Sequence, residues 1–135
     1  MPRLSVWMLR LSLLALCAAG VHGALLLSQF PPALALAGRL RAVHIELMLF
    51  GWMVQFVLGV AYWILPRHPA PPERGSPALG WTAFGLFQTG LTVAVAGAAA
   101  PSGGVLAPAG QLLVVAALLL FVRLLAPRIK PFGSS

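Results

Sequence analysis

Four long apolar runs dominate the sequence and decide what the chain can fold into. They cover about residues 5–29, 40–65, 78–99 and 105–126, each near the roughly 20 residues that a helix needs to cross about 30 Å of hydrocarbon. Charged residues make up only 8% of the chain, against about a quarter in a soluble domain. The sequence therefore predicts an all-α, polytopic membrane protein: one domain, residues 1–135, forming a four-helix bundle in a lipid bilayer.

Proline clusters separate the four runs. Pro31-Pro32 follow the first run, five further prolines lie within 66–77 after the second, and Pro101 begins a turn through Gly104 after the third. Proline cannot donate a hydrogen bond to a continuing helix, so each cluster predicts a helix end. Nothing in the sequence indicates a second domain.

Positive charges predict the orientation and exclude some partners. Basic residues are enriched in the cytoplasmic loops of membrane proteins, so both termini are predicted to be cytoplasmic, in a multi-pass protein of the inner cell membrane. The net charge of +7 does not indicate a nucleic-acid partner, because the cations flank apolar runs instead of forming a basic stripe. With the termini inside, the predicted inner cations are Arg3, Arg10, Arg67, Arg74, Arg123, Arg128 and Lys130, and the outer ones are Arg39 and Arg41.

The first run has an alternative interpretation as a cleaved signal peptide. Met1–Arg10 is basic, Leu11–Ala19 is apolar, and Val21-His22-Gly23 resembles a cleavage site. Cleavage would leave three spans and remove His22. Apolar residues continue through Ala24–Leu27, which favours a retained span.

A polar stripe on the second run suggests a site. At 100° per residue, an imidazole, an amide, a phenol and two glycines fall near one line. In one interpretation His44 is an axial haem ligand and the glycines make room for the macrocycle. In the other, the glycines allow close helix packing and the polar groups form interhelical hydrogen bonds. The stripe comprises His44, Met48, Gly51, Gln55, Gly59 and Tyr62.

A second histidine lies at a matching depth on the first run. His22 precedes Gln29 by seven residues, about 10 Å along a helix, and an antiparallel second helix would bring His44 to a similar level. Two imidazoles at one depth could bind a single iron. A helix–helix hydrogen bond remains the alternative.

Charged residues accompany this end of the second run. Glu46 is two residues from His44 and points away from it, so we expect an ion pair or hydrogen bond inside the bundle, with Arg39 as a possible partner. A proton-relay role is the alternative. Arg39 and Arg41 could instead hold haem propionates, because guanidinium groups match carboxylate geometry. Their alternative role is interfacial anchoring.

The residues Gly38–Trp52, continuing from Gly59 to Arg67, resemble the second transmembrane helix of the heme-copper oxidase catalytic subunit (subunit I) superfamily. The cbb-type oxidases and nitric oxide reductases are the most similar in character. The resemblance implies that His44 is an axial ligand of a low-spin haem B. It is weak outside these residues.

The sequence also departs from that family. The family's later helices supply the second low-spin ligand and the histidines of a binuclear centre, and this chain has only three histidines. We therefore expect no oxidase activity from this chain alone. The resemblance is therefore compatible with one haem. Its second ligand would come from His22, from another copy in a homo-oligomer or from a respiratory-complex subunit. The protein would then serve electron transfer or complex assembly. A cofactor-free accessory or scaffold subunit is the alternative.

Overall fold

The computed structural model describes residues 1–101 and 104–129, and within them all regular structure is helical. Ser102, Gly103 and the predicted inner cation Lys130 lie outside these ranges. The predicted all-α architecture with four membrane spans is confirmed, and the predicted bounds differ by at most a few residues. The helices long and apolar enough to cross a membrane are Arg3–Leu27, Ala37–Ile64, Pro77–Ala99 and Leu106–Arg128.

The connections follow from backbone chemistry. The first helix, α1 (Arg3–Leu27), ends before Gln29, whose φ of 51° is left-handed. Pro31-Pro32 then begin a short helix, α2 (Pro31–Ala35), instead of a plain turn, since proline is tolerated in a first turn where no amide donor is needed.

The second span, Ala37–Ile64, contains three segments. It begins as α3 (Ala37–Glu46), widens into a π-helix over Leu47–Val54, and continues as α4 (Gln55–Ile64). A π-helix has i→i+5 hydrogen bonds and is found mostly as short insertions, frequently at functional sites. No feature of the sequence predicted this π-helix.

The third and fourth spans are α5 (Pro77–Ala99) and α6 (Leu106–Leu125), and α6 continues into a single 3₁₀ turn, Ala126–Arg128. Ser76 caps α5, its hydroxyl oxygen accepting a hydrogen bond from the Leu79 amide at 3.3 Å. Side-chain caps of this kind satisfy an otherwise unpaired helix donor.

The four spans form an antiparallel bundle whose two ends differ. The buried core cluster includes Met8, Tyr62, Phe87, Val114 and Phe121. We call the end that carries His22 and His44 the histidine end, and the end that carries Tyr62 and Arg128 the arginine end. That the arginine end faces the cytoplasm stays a prediction.

Candidate functional site

His44 lies against α1 at the histidine end. Its Nδ1 is 2.8 Å from the carbonyl oxygen of Ala19. A carbonyl can only accept, so Nδ1 carries the proton and donates. The ring also packs on Gly23, where an added Cβ would lie 3.0 Å from Cε1 of His44. The sequence thus places a glycine where the imidazole needs room.

This hydrogen bond sets the chemistry of the other ring nitrogen. In a neutral imidazole with the proton on Nδ1, Nε2 carries an unprotonated lone pair. Metal-binding histidines commonly donate their second N–H to a backbone carbonyl in this way. His44 is half-buried, and within the described part of the chain no hydrogen bond engages its Nε2. The ring therefore has the tautomer and orientation of a potential ligand.

A shallow apolar groove lies beside His44. Its volume is about 330 Å³, within the range of about 300–1,000 Å³ typical of small-molecule sites. The groove runs along the outside of the second span and is open on one side, so it has room for part of a flat macrocycle. The groove therefore offers one imidazole and one apolar wall, and a second surface would have to cover any macrocycle bound there. The groove is lined by His44, Ile45, Met48, Leu49, Trp52 and Met53.

His22 occupies a different position. Its Nδ1 donates to the carbonyl of Ala18 at 2.8 Å, four residues earlier on α1. It lines a separate cavity of about 170 Å³ with Arg39, Leu40 and Val43 among others. At 100° per residue, this face of the second span is opposite the face that carries the groove. The structure does not bring His22 and His44 into one cavity.

Gly51 and Gln55 pack against α1. A Cβ on Gly51 would lie 2.9 Å from Cβ of Ala15. Gln55 is 1% exposed and its Nε2 donates to the carbonyl of Met8 at 3.1 Å. These contacts leave no gap for a macrocycle between the two helices, so close packing and interhelical hydrogen bonding describe both residues here.

Arg39 and Arg41 are both exposed at the histidine end. Arg39 lines the cavity of His22. Arg41 lies three residues before His44 and four before Ile45, one helical turn from the groove and on its side of the helix. Within the described residues neither arginine forms an ion pair. Arg41 is therefore the better placed of the two to meet an acid group on a ligand in the groove.

Glu46 is buried inside the bundle. It is 8% exposed, and its Oε1 accepts a hydrogen bond from Nε2 of Gln111 on α6 at 2.6 Å. The predicted hydrogen bond within the bundle is confirmed, although the donor is an amide of α6 and not Arg39. This bond connects the second span to the C-terminal helices.

The sequence could not identify some of the groove's walls. Ile45, Leu49 and Trp52 look like lipid-facing residues by pattern alone, because they lie outside the polar stripe. Only their regular spacing after His44 could have indicated that they lie along one side of the helix. The backbone acceptor, Ala19, carries no signal at all, since any residue type provides a carbonyl.

Comparison with known proteins supports the relationship suggested by the second span. The chain matches the family described as Cytochrome C and Quinol oxidase polypeptide I over residues 3–128. No curated protein and no solved structure matches the chain. The match covers all four spans and not the second span alone, and the cbb-type or nitric oxide reductase character stays a prediction. The chain belongs to the cytochrome c and quinol oxidase polypeptide I family.

Proposed function

We propose that this membrane protein binds one low-spin haem B through Nε2 of His44 and serves respiratory electron transfer or complex assembly in the inner cell membrane. The observation that supports this most directly is the hydrogen bond from Nδ1 of His44 to Ala19, which leaves Nε2 free beside an apolar groove. Membership of the oxidase family is consistent with haem binding.

The chain's own residues would hold the group and control its surroundings. Ala19 and Gly23 fix the His44 ring in one orientation. Leu49 and Trp52 form an apolar wall that excludes water. Arg41 lies where it can pair with a propionate. A haem held there would supply one-electron transfer.

The second axial ligand would come from another chain. His22 lies on the opposite side of the second span and in a different cavity. The groove of His44 is open on one side, where a second copy or a respiratory-complex subunit could cover it. The haem would then lie between two proteins.

The test is the visible spectrum of protein purified from haem-replete cells. We expect a Soret band that shifts on dithionite reduction and is abolished by His44→Ala. His22→Ala and His68→Ala are matched controls that remove an imidazole elsewhere, and both should keep the band. A colourless wild-type preparation would contradict the proposal, and loss of the band in His22→Ala would contradict a second ligand from another chain.

A cofactor-free scaffold is the second candidate. The tight packing of Gly51 on Ala15 and the Gln55–Met8 bond favour it, because they show that much of the polar stripe serves helix association. In that case His44→Ala would lower the stability of the bundle by about a kcal/mol, the value of an interhelical hydrogen bond, in protein that is colourless from the start.

A further inference from the structure

Arg128 joins the ends of two spans at the arginine end. It is 2% exposed. Its Nε donates to the carbonyl of Pro66 at 3.0 Å, and its Nη2 donates to those of Tyr62 at 3.1 Å and Leu65 at 2.7 Å. These acceptors belong to the C-terminal end of the second span, where a helix favours a cation. Its Nη1, by contrast, is buried with no partner among the described residues.

A second arginine, Arg74, lies at the same end of the bundle as Arg128. Gly75 has a φ of 80° and packs on Leu124, where an added Cβ would lie 2.8 Å from Cδ1. This contact places the adjacent Arg74 at the end of α6 that carries Arg128, which follows Leu124 by four residues. Nε of Arg74 is also buried and has no partner within the described chain.

Within residues 1–101 and 104–129, no acidic side chain bonds to Arg74 or Arg128. The sequence contains two acidic residues. Glu46 is bonded to Gln111 on the other side of the π-helix, toward the histidine end. Glu73 forms an ion pair with Arg67 at 3.1 Å. Two guanidinium groups at one end of the bundle, each with a buried donor that has no partner among the described residues, therefore favour an anion from outside.

We infer that Arg74 and Arg128 form a binding site for the phosphate of an anionic phospholipid. Phosphate oxygens accept the N–H donors of arginine with favourable geometry, and basic pockets between the ends of transmembrane helices bind acidic lipid headgroups. The half-buried Arg74 makes the direct contact, and Arg128 adds charge from beneath it and engages the ligand when its side chain adjusts.

The surrounding surface favours a lipid over free phosphate. Next to Tyr62 on the second span, Trp63 is 45% exposed and Ile64 is 65% exposed. On α5, Trp81 is 43% exposed and follows Gly80, whose added Cβ would lie 3.8 Å from the Tyr62 hydroxyl. Exposed tryptophans at a span end are typical of the lipid headgroup level. Acyl chains attached to the phosphate would lie on this apolar surface.

The experiment compares lipid binding by delipidated full-length protein and two charge-matched variants. Phosphatidylglycerol, phosphatidylcholine or inorganic phosphate is titrated, and binding is followed by native mass spectrometry and by the midpoint of thermal unfolding. We expect saturable binding of one phosphatidylglycerol with a rise of about 5 °C in Tm. Arg74→Gln should weaken that binding about tenfold, the effect of losing a charged hydrogen bond, and Arg74→Lys should recover part of it.

Arg3→Gln is the matched control, because it removes the same charge from the same end of the bundle but from an exposed residue at the start of α1. It should retain the affinity of the wild type. Equal weakening in both Gln variants would overturn the inference, since it would indicate diffuse attraction. Equal binding of both lipids, or full competition by inorganic phosphate, would overturn a site for an anionic lipid. Arg128 is left intact so that the variants fold.

Discussion

The two helix pairs of the bundle are held together by different chemistry. In the C-terminal pair, backbone meets backbone: an added Cβ on Gly90 would lie 2.8 Å from the Val114 nitrogen, and one on Gly110 would lie 2.6 Å from the Gly90 oxygen. In the N-terminal pair, side chains of the second span donate to α1, from His44 to Ala19 and from Gln55 to Met8. The C-terminal pair depends on glycines that let two backbones touch, whereas the N-terminal pair adds hydrogen bonds from polar side chains to its glycine contacts.

This difference indicates that the C-terminal pair supports the bundle and that the N-terminal pair carries the proposed site. Glycines that allow backbones to approach gain their stability from packing alone, so the C-terminal pair needs no polar side chain at its interface. The N-terminal pair keeps an imidazole and an amide at its interface, and the groove of His44 lies on that pair. The proposed chemistry is therefore located where association relies on polar groups.

The largest expected effect is in the C-terminal pair. Gly110→Ala would place a methyl group against the backbone nitrogen of Ala94 and the carbonyl of Gly90. Backbone atoms cannot move aside as a flexible side chain can. We therefore expect the free energy of unfolding to fall by about 3 kcal/mol, the upper end of the range for overpacked interiors. The free energy of unfolding in mixed micelles measures it.

The control for this variant is Gly85→Ala on α5, where an added Cβ meets no atom within 4 Å. It should be neutral or slightly stabilising, because alanine favours a helix more than glycine does. Equal stability of the Gly110→Ala and Gly85→Ala variants would contradict the close backbone contact between α5 and α6.

An intermediate effect is expected where the two pairs meet. Arg128→Gln removes a guanidinium that bonds three carbonyls of the second span. The glutamine amide can re-form some of these hydrogen bonds, so we expect the free energy of unfolding to fall by about 2 kcal/mol. Arg123→Gln, which removes an exposed cation from the same helix end, should change the unfolding free energy by less than about 0.5 kcal/mol. Equal losses would mean that Arg128 acts only through net charge.

The smallest effect is expected in the N-terminal pair. Gln55→Leu removes the donor to Met8 but also removes the buried Oε1, which has no partner among the described residues. We expect a loss of about 0.6 kcal/mol, the average for such bonds in membrane proteins. Gln88→Leu is the control, because its Nε2 has no partner in the described chain. If Gln55→Leu lowered the free energy of unfolding more than Gly110→Ala does, the N-terminal pair would be the one more sensitive to substitution, contrary to the expectation.

The spans themselves were predictable because hydrocarbon thickness fixes the length of an apolar run. The prediction of residues 78–99 corresponds to Pro77–Ala99, and that of residues 105–126 corresponds to Leu106–Leu125. The short helix at Pro31–Ala35 was not predicted, because the same prolines that end one helix can begin the next.

The site was predictable in its residue types but not in its geometry. The periodicity of the second span correctly grouped Gly51 and Gln55 on one face, yet it could not say whether that face meets a cofactor or α1. The depth of His22 in the membrane was predictable, but depth does not determine which way its side chain faces around α1. That direction is what places His22 outside the groove of His44. Arg128 looked like an ordinary flanking cation, since burial of a terminal side chain depends on which neighbour lies over it.

The π-helical segment Leu47–Val54 affects how this chain can be aligned with its relatives. A turn closed by i→i+5 hydrogen bonds contains about one residue more than an α-turn. A relative whose second helix is α-helical throughout would therefore align with a one-residue gap within 47–54. Equivalences assigned from His44 without that gap would shift Gln55 and every later position of the helix to the wrong face.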